Sequence, residues 1–479
     1  MRGLRIVAIA LANVVTLAAA PPASADRPPL VQPFVSVDAP IVVLLHARVI
    51  DGTGAAPREN QTIVVRNGRI AALAGGKVAI PSGARIVDVA GKTIIPGLVG
   101  MHEHLFWPPK MTPSPTMFEE SFFVPQPYSF PRLYLAAGVT TARTAGSVSP
   151  YTDLAVKRQI DAGKAPGPRL DITGPYIEGP HPMFVQFAPQ ADVAGVRRLV
   201  DYWAAEGVTS FKIYNVVTKE QLTAAIDAAH AHHLKVAGHL CSVGFRDAAA
   251  AGIDSLEHGL LVDTELVDGK KPDECPPQAI LSFAKAEIDS PAVQAIIHDL
   301  VAHHVAVTST LAVFEGFLGK PIDPRALPLM IDEARKSVER GHALRGMSAG
   351  FLGPLIKKEE AFERAFVKAG GLLLAGCDPT GDGSVLAGFG DQRNLELLVD
   401  GGFTPLEAIH IATQNGATFL GRDDVGTIAP GKRADLVVID GNPARDIHDI
   451  EKVETVFKDG VGYDSKKLID AVRGNVGLR

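Results

Sequence analysis

His102-Glu103-His104 follow an apolar run, Ile94 to Met101, broken only by Pro96-Gly97. Side chains two apart on a strand share a face, so both imidazoles point to one place and Glu103 points away from it. Two histidines on the inner face of a barrel are half of a divalent-metal site. A lone His-x-His arises too easily by chance to carry that reading, and its company decides. His239 closes Lys235 to Leu240, His258 closes Ile253 to Gly259, and Asp378 ends Leu372 to Cys377, where Pro379 stops the run. Lys212 stands between large apolar neighbours in Ser210-Phe211-Lys212-Ile213-Tyr214. Desolvation lowers the pKa of such a lysine and supplies the free amine that carbon dioxide needs to form a carbamate. The carbamate is a two-oxygen anion able to bridge two metal ions. Six candidate ligands at successive strand ends are improbable as coincidence.

Three further residues are candidate substrate contacts. His181 lies in the loop after the third strand, and Arg143 and Tyr214 could grip a carboxylate or oxyanion. Phe106, Trp107, Met111, Phe118, Phe122 and Phe123 fall in the long loop after the first strand, where they would roof the site and favour a substrate with an apolar or aromatic part. His230, His232, His233, His298 and His303 fall on helical segments and read as solvated faces.

The elements that must position these residues repeat along the chain. Ala136 to Thr140, Ala205 to Thr209, Ala250 to Asp254 and Lys368 to Leu372 each show a helix ending at glycine and an apolar run starting at once. Helix-then-strand units mean a parallel sheet covered by helices. Strands are predicted to end near His104, Thr144, Thr173, Tyr214, His239, His258, Thr310 and Asp378, which makes eight. No glycine-rich phosphate loop appears, and polar residues gather where strands stop, so a closed (β/α)8 barrel is favoured over an open sheet. Both chain ends are strand-like, and Asn67-Gly68 between two β-rich runs is a hairpin signal. The expected organisation is an α/β chain with a TIM barrel over 96–424 and a small β-sandwich domain from 26–95 and 425–479.

Residues 1–25 read as a cleaved signal peptide, with Arg2 and Arg5, an apolar stretch from Ile6 to Ala20, and Ala23-Ser24-Ala25. A periplasmic or secreted chain follows, with no stable membrane anchor. Cys241, Cys275 and Cys377 are odd in number and far apart, so all three are expected as small buried side chains. The net charge of -6, without long charged runs, gives no reason to expect nucleic acid. A small-molecule amide or peptide is the expected partner, and homo-oligomerisation stays open.

Taken together, Ile95-Pro96-Gly97-Leu98-Val99-Gly100-Met101-His102-Glu103-His104, Lys212, His239, Ser255-Leu256-Glu257-His258-Gly259, Asp378-Pro379, Thr404-Pro405-Leu406-Glu407-Ala408 and Gly426 to Leu436 resemble the metal-dependent amidohydrolases. Within that superfamily the chain is most similar to the exported peptidase and imidazolonepropionase-like branch, over nearly the whole mature length. The resemblance implies two divalent ions, zinc expected. His102 and His104 would bind the more buried ion, carboxylated Lys212 would bridge, and His239 and His258 would bind the second. Asp378 would be metal-bound and take the proton. Two departures stand out: Leu240-Cys241-Ser242 follow His239 where the family often has a second His or a Tyr, and Glu178-Gly179-Pro180-His181 replaces Gly-Gly-His.

The leading expectation is hydrolysis of an amide or peptide bond, in a dipeptide or N-acyl amino acid, by a metal-bridging hydroxide formed from a water whose pKa falls to roughly 7, with Asp378 as general base and acid. A mononuclear deaminase or cyclic-amide hydrolase is the first alternative, with His239 or His258 as acid/base; Lys212 argues against it. A noncatalytic metal-binding barrel is the second, and the intact set of six ligands argues against that.

Overall fold

The protein is described by a computed structural model that covers residues 27–477 apart from 77, 109–121, 183, 278, 319 and 346–348. The predicted signal segment, residues 1–25, and the predicted roof residues Met111 and Phe118 lie outside the described residues.

Eight parallel strands form the barrel: β1 (Leu98–Glu103), β2 (Val139–Thr144), β3 (Thr173–Glu178), β4 (Ser210–Ile213), β5 (Lys235–Gly238), β6 (Ser255–Glu257), β7 (Ala306–Ser309) and β8 (Leu373–Ala375). Parallel ladders join β1 to β2 and run from β3 through β8. A short strand, Arg169–Asp171, pairs with β2 and leads into β3, and Ser147 bridges Pro175. The ring closes where the Asp378 N–H donates to the His102 carbonyl at 2.9 Å. Gly376 makes that approach possible, because a Cβ there would lie 2.3 Å from the His102 nitrogen. The four glycines of the helix-then-strand repeat, Gly138, Gly207, Gly252 and Gly370, all have φ between 90° and 100°, the left-handed cap the sequence predicts.

One strand end differs from expectation. Thr173 begins β3, which runs on to Glu178. Gly174-Pro175 carries the composition of a turn, but Pro175 faces Ser147 beyond the end of β2, where no ladder N–H is asked of it.

The two chain ends build one nine-stranded sheet. Leu436–Ile439 pairs antiparallel with Thr93–Pro96, joining residues more than 300 apart in sequence. Arg58–Arg66 and Arg69–Gly75 form the predicted hairpin, with positive φ at both Asn67 and Gly68 as a tight primed turn requires. Val42, Leu44, Ile63, Ile94, Leu436 and Phe457 fill a core of its own under this sheet. The last segment then returns to the barrel: Ser465 Oγ donates to the Ala136 carbonyl at 2.7 Å, and Met330 pairs with Val476. No helix among the described residues is long and apolar enough to cross a membrane.

The cysteine expectation is corrected. Cys241 and Cys275 form a disulfide, with Cα atoms 4.9 Å apart, and only Cys377 remains a buried free thiol. A separation of 34 residues looks wide in sequence. The barrel sets β5 beside β6, so the segments that follow them meet. The staple adds to the core an effect typically of about 2–4 kcal/mol.

Asp263, in the segment after β6, is buried, with Oδ2 lacking a hydrogen-bond partner among the described residues. Burial first, and the neighbouring Glu265 charge second, push its pKa up to about 7. A carboxyl raised above its unfolded value gives stability that is full below about pH 4 and lost as pH rises through 7. Asp263→Asn is therefore expected to raise Tm by about 1–3 °C at pH 8 and by less at pH 5. A gain independent of pH, read by calorimetry, would contradict this.

Candidate metal centre and active site

His102, His104, Lys212, His239, His258 and Asp378 line one cavity of about 270 Å³ at the C-terminal mouth of the barrel. His104 Nε2 lies 3.2 Å from Asp378 Oδ1, and Asp378 Oδ2 lies 3.7 Å from His102 Nε2 and 3.9 Å from His258 Nε2. His102, His258 and Asp378 each offer a ligand atom within 4.8 Å of the others. The His239 ring centre is 4.6 Å from that of His258. Lys212 projects from β4 into the same space, 1% exposed, and its Nζ has no hydrogen-bond partner among the described residues.

Strand alternation explains only part of this convergence. His102 and His104 share the inner face as spaced, and Glu103 turns the other way, where its Oε2 accepts from the Cys377 thiol at 3.0 Å. His258 and Asp378 depend on backbone in the left-handed region, φ 70° and 47°, just past the ends of β6 and β8. Non-glycine residues held there store strain of roughly 1–3 kcal/mol, which clusters at functional sites. At His258 the reversal lets two adjacent residues serve one centre, because Glu257 already faces inward with Ser255.

Glu257 is the functional residue that the motif contains but the sequence reading passes over. Its Oε2 meets His102 Nδ1 at 2.6 Å, and its Oε1 accepts from Arg143 Nη2 at 2.8 Å and Ser255 Oγ at 3.1 Å. Burial opposes its charge, but Arg143 and then Lys212 hold its carboxyl well below the usual range. It fixes the His102 ring with Nε2 toward the cavity, as second-sphere carboxylates do. The His258 ring is fixed in the same way by Thr310 Oγ1, 2.7 Å from Nδ1. The signal for Glu257 was its two-residue spacing from Ser255.

Burial is the largest influence on His102, His239 and His258. It brings His102 down to about 4 and His239 to about 3, the Lys212 charge adding to both, and it lowers His258 well below its ordinary value. These three rings are neutral at pH 7, with lone pairs free. Burial alone would raise Asp378, but His102, His104 and His258 outweigh it and keep the carboxylate ionised. Burial lowers Lys212 to about 8 against the raising influence of Glu257.

The predicted substrate contacts divide. Tyr214 lines the cavity, its ring 4.7 Å from that of His239. Arg143 does not reach it: the guanidinium is buried beneath the site, spent on Glu257, on Ser255 Oγ at 3.1 Å and on the Met101 carbonyl at 2.8 Å. His181 is exposed and outside the lining, because β3 and its loop carry Tyr176 and Phe187 inward instead. Of the predicted roof, Phe106 and Phe123 line the cavity, and Phe122 is 55% exposed. Trp107 is an anchor, buried and donating Nε1–H to the Gly383 carbonyl at 3.1 Å.

Comparison with known proteins places the chain by family and fold. The amidohydrolase family matches residues 93–462, more than three quarters of the chain. A putative prolidase from Bifidobacterium longum is similar in structure, with TM-score 0.64 and 26% identity over 92% of this chain and 100% of that one. A Xaa-Pro dipeptidase solved with methionine in its active site shares the fold, with TM-score 0.66 and 22% identity over 88% of this chain and 100% of that one. An adenine deaminase from Deinococcus deserti is 25% identical over 397 residues, 82% of this chain. The chain spans 55% of that relative's length.

Proposed function

The chain belongs to the amidohydrolase family, and on that premise we propose that it is a metal-dependent hydrolase that cuts an amide or peptide bond in a small molecule. The observation that carries the proposal is the donor set itself: four imidazoles, one carboxylate and a buried lysine with an orphaned amine around one cavity. Such a set fits two divalent ions better than a structural role, because nothing among the described residues satisfies Lys212. In this reading His102, His104, His239, His258, Asp378 and carboxylated Lys212 would hold the ions. Zinc suits the nitrogen-rich ligands. When bound, the ions would supply an acidified water and polarise the substrate carbonyl.

The chain's own residues do the rest. Asp378 takes the proton from the attacking water as its oxygen adds to the carbonyl carbon, and delivers it to the amine nitrogen as the C–N bond breaks. Thr380 Oγ1, donating to Asp378 Oδ1 at 2.7 Å, aims the carboxylate. Glu257 and Thr310 keep the rings of His102 and His258 in their ligating tautomers. Glu257→Gln is accordingly expected to weaken metal retention by about 10–100-fold in a chelator competition; unchanged retention would contradict its role.

We propose, from the signal-like residues 1–25, that the mature chain is periplasmic or secreted. The Cys241–Cys275 disulfide supports this, since disulfides persist in oxidising compartments. The reaction is tested by product analysis of the metal-loaded chain on blocked and free dipeptides, N-acyl amino acids and adenine. Release of an amine and a carboxylic acid is the expected result; ammonia from adenine with no amide cleaved would favour a deaminase.

A further inference from the structure

The cavity holds two aromatic walls with the candidate ligands as a floor between them. On one side Phe106, Phe123, Tyr176 and Phe187 form a buried cluster, against which Tyr214 packs. Tyr176 and Phe187 stack with ring centres 4.0 Å apart, and Phe187 meets Tyr214 edge-on at 4.9 Å. On the other side the helix Leu311–Gly316, which follows β7, presents Val313 and Phe314. Both walls reach the floor: Phe106 stacks on His104 at 4.5 Å, and Phe314 meets His258 edge-on at 5.6 Å.

Charge is missing from the walls. Apart from the floor, no Lys, Arg, Asp or Glu lines the cavity among the described residues. The guanidinium expected to receive a carboxylate, Arg143, is consumed beneath the floor. Of residues 109–121, outside the described ones, only Lys110 is basic. A free carboxylate held between these walls, away from the floor, would shed its water and meet no cation among the described residues, a loss that Coulomb attraction does not repay. The Tyr176 and Tyr214 hydroxyls remain, and they suit a neutral carbonyl or N–H.

We infer that the substrate is an uncharged amide with apolar, preferably aromatic, groups on both sides of the bond that is cut, and that Phe187 and Phe314 select it. The inference rests on the amide-hydrolase reading and narrows it, because free dipeptides and N-acyl amino acids carry the carboxylate that this cavity does not accommodate.

The test compares N-benzoylphenylalanine with its N-methylamide on the metal-loaded full chain, following benzoate release. The neutral amide is expected to have kcat/KM higher by about 100-fold or more. Phe314→Arg, at a half-buried position, should shrink that ratio at least about tenfold by giving the acid a partner. Phe187→Leu should lower kcat/KM for the neutral amide. Lys110→Ala should leave the ratio as it is. An acid cleaved as well as the neutral amide, a ratio indifferent to Phe314→Arg, or a neutral-amide kcat/KM indifferent to Phe187→Leu would overturn the inference. Ketomethylene analogues of the pair, with CH2 replacing the amide NH, separate the two levels by calorimetric titration. Tighter binding of the neutral analogue without any benzoate release would sink the hydrolase reading and leave the preference standing. Equal or tighter binding of the acid analogue would sink the preference itself.

Discussion

Asp378→Asn should lower kcat by about 1,000-fold or more while leaving the fold intact and most of the bound metal in place. The carboxamide preserves the shape that the left-handed backbone at 378 imposes, and its oxygen can still ligate. What it loses is the ability to accept a proton at neutral pH. The wild-type carboxylate is ready for that task because His102, His104 and His258 keep it ionised despite burial. KM should change far less than kcat, since the lost interaction belongs to the transition state. Near-normal turnover with metal retained would remove Asp378 from the proton path.

The second large effect concerns Lys212. Its pKa falls from 10.5 to about 8, with burial the leading cause. A base depressed in this way gives stability that is full above its unfolded value and lost as pH falls through the folded one, so at pH 7 the ionised amine costs about 3 kcal/mol. Carboxylation removes that cost by replacing an unpaired cation with an anion among cation-binding ligands. Lys212→Ala is therefore expected to be at least as resistant to heat as the metal-free, uncarboxylated wild type, yet to lose metal binding and at least about 1,000-fold in kcat/KM. Lys212→Arg, which keeps charge and reach but forms no carbamate, should be as inactive. Wild-type activity in Lys212→Ala with one ion per chain would instead support the mononuclear alternative.

Much of the site was legible because its residues obey local rules. His102 and His104 follow strand alternation, and His239, His258 and Asp378 each terminate an apolar run, so their types and order were enough to draw them to one mouth. The repeat glycines and Asn67-Gly68 were equally plain, since each answers a backbone demand that few residues meet. What escaped depends on three-dimensional neighbours. Arg143 is inward-facing as its strand requires, but its depth and its bond to Glu257, 114 residues away, set it below the cavity rather than in it. Phe187 and Phe314 reach the site from loop and helix positions with no periodic signal. The Cys241–Cys275 bond needs β5 and β6 side by side, and β3 outran a Gly-Pro pair because its neighbour had already ended.

The central claim, that these six residues hold the metal on which hydrolysis depends, is tested most directly by one titration. The full chain, produced with zinc and bicarbonate, is stripped with a chelator and reloaded stepwise, with metal content and benzoate release from N-benzoylphenylalanine N-methylamide measured at each step. The account predicts that activity vanishes on stripping and returns in proportion to metal, levelling at two ions per chain. Hydrolysis that persists in fully stripped protein would contradict it.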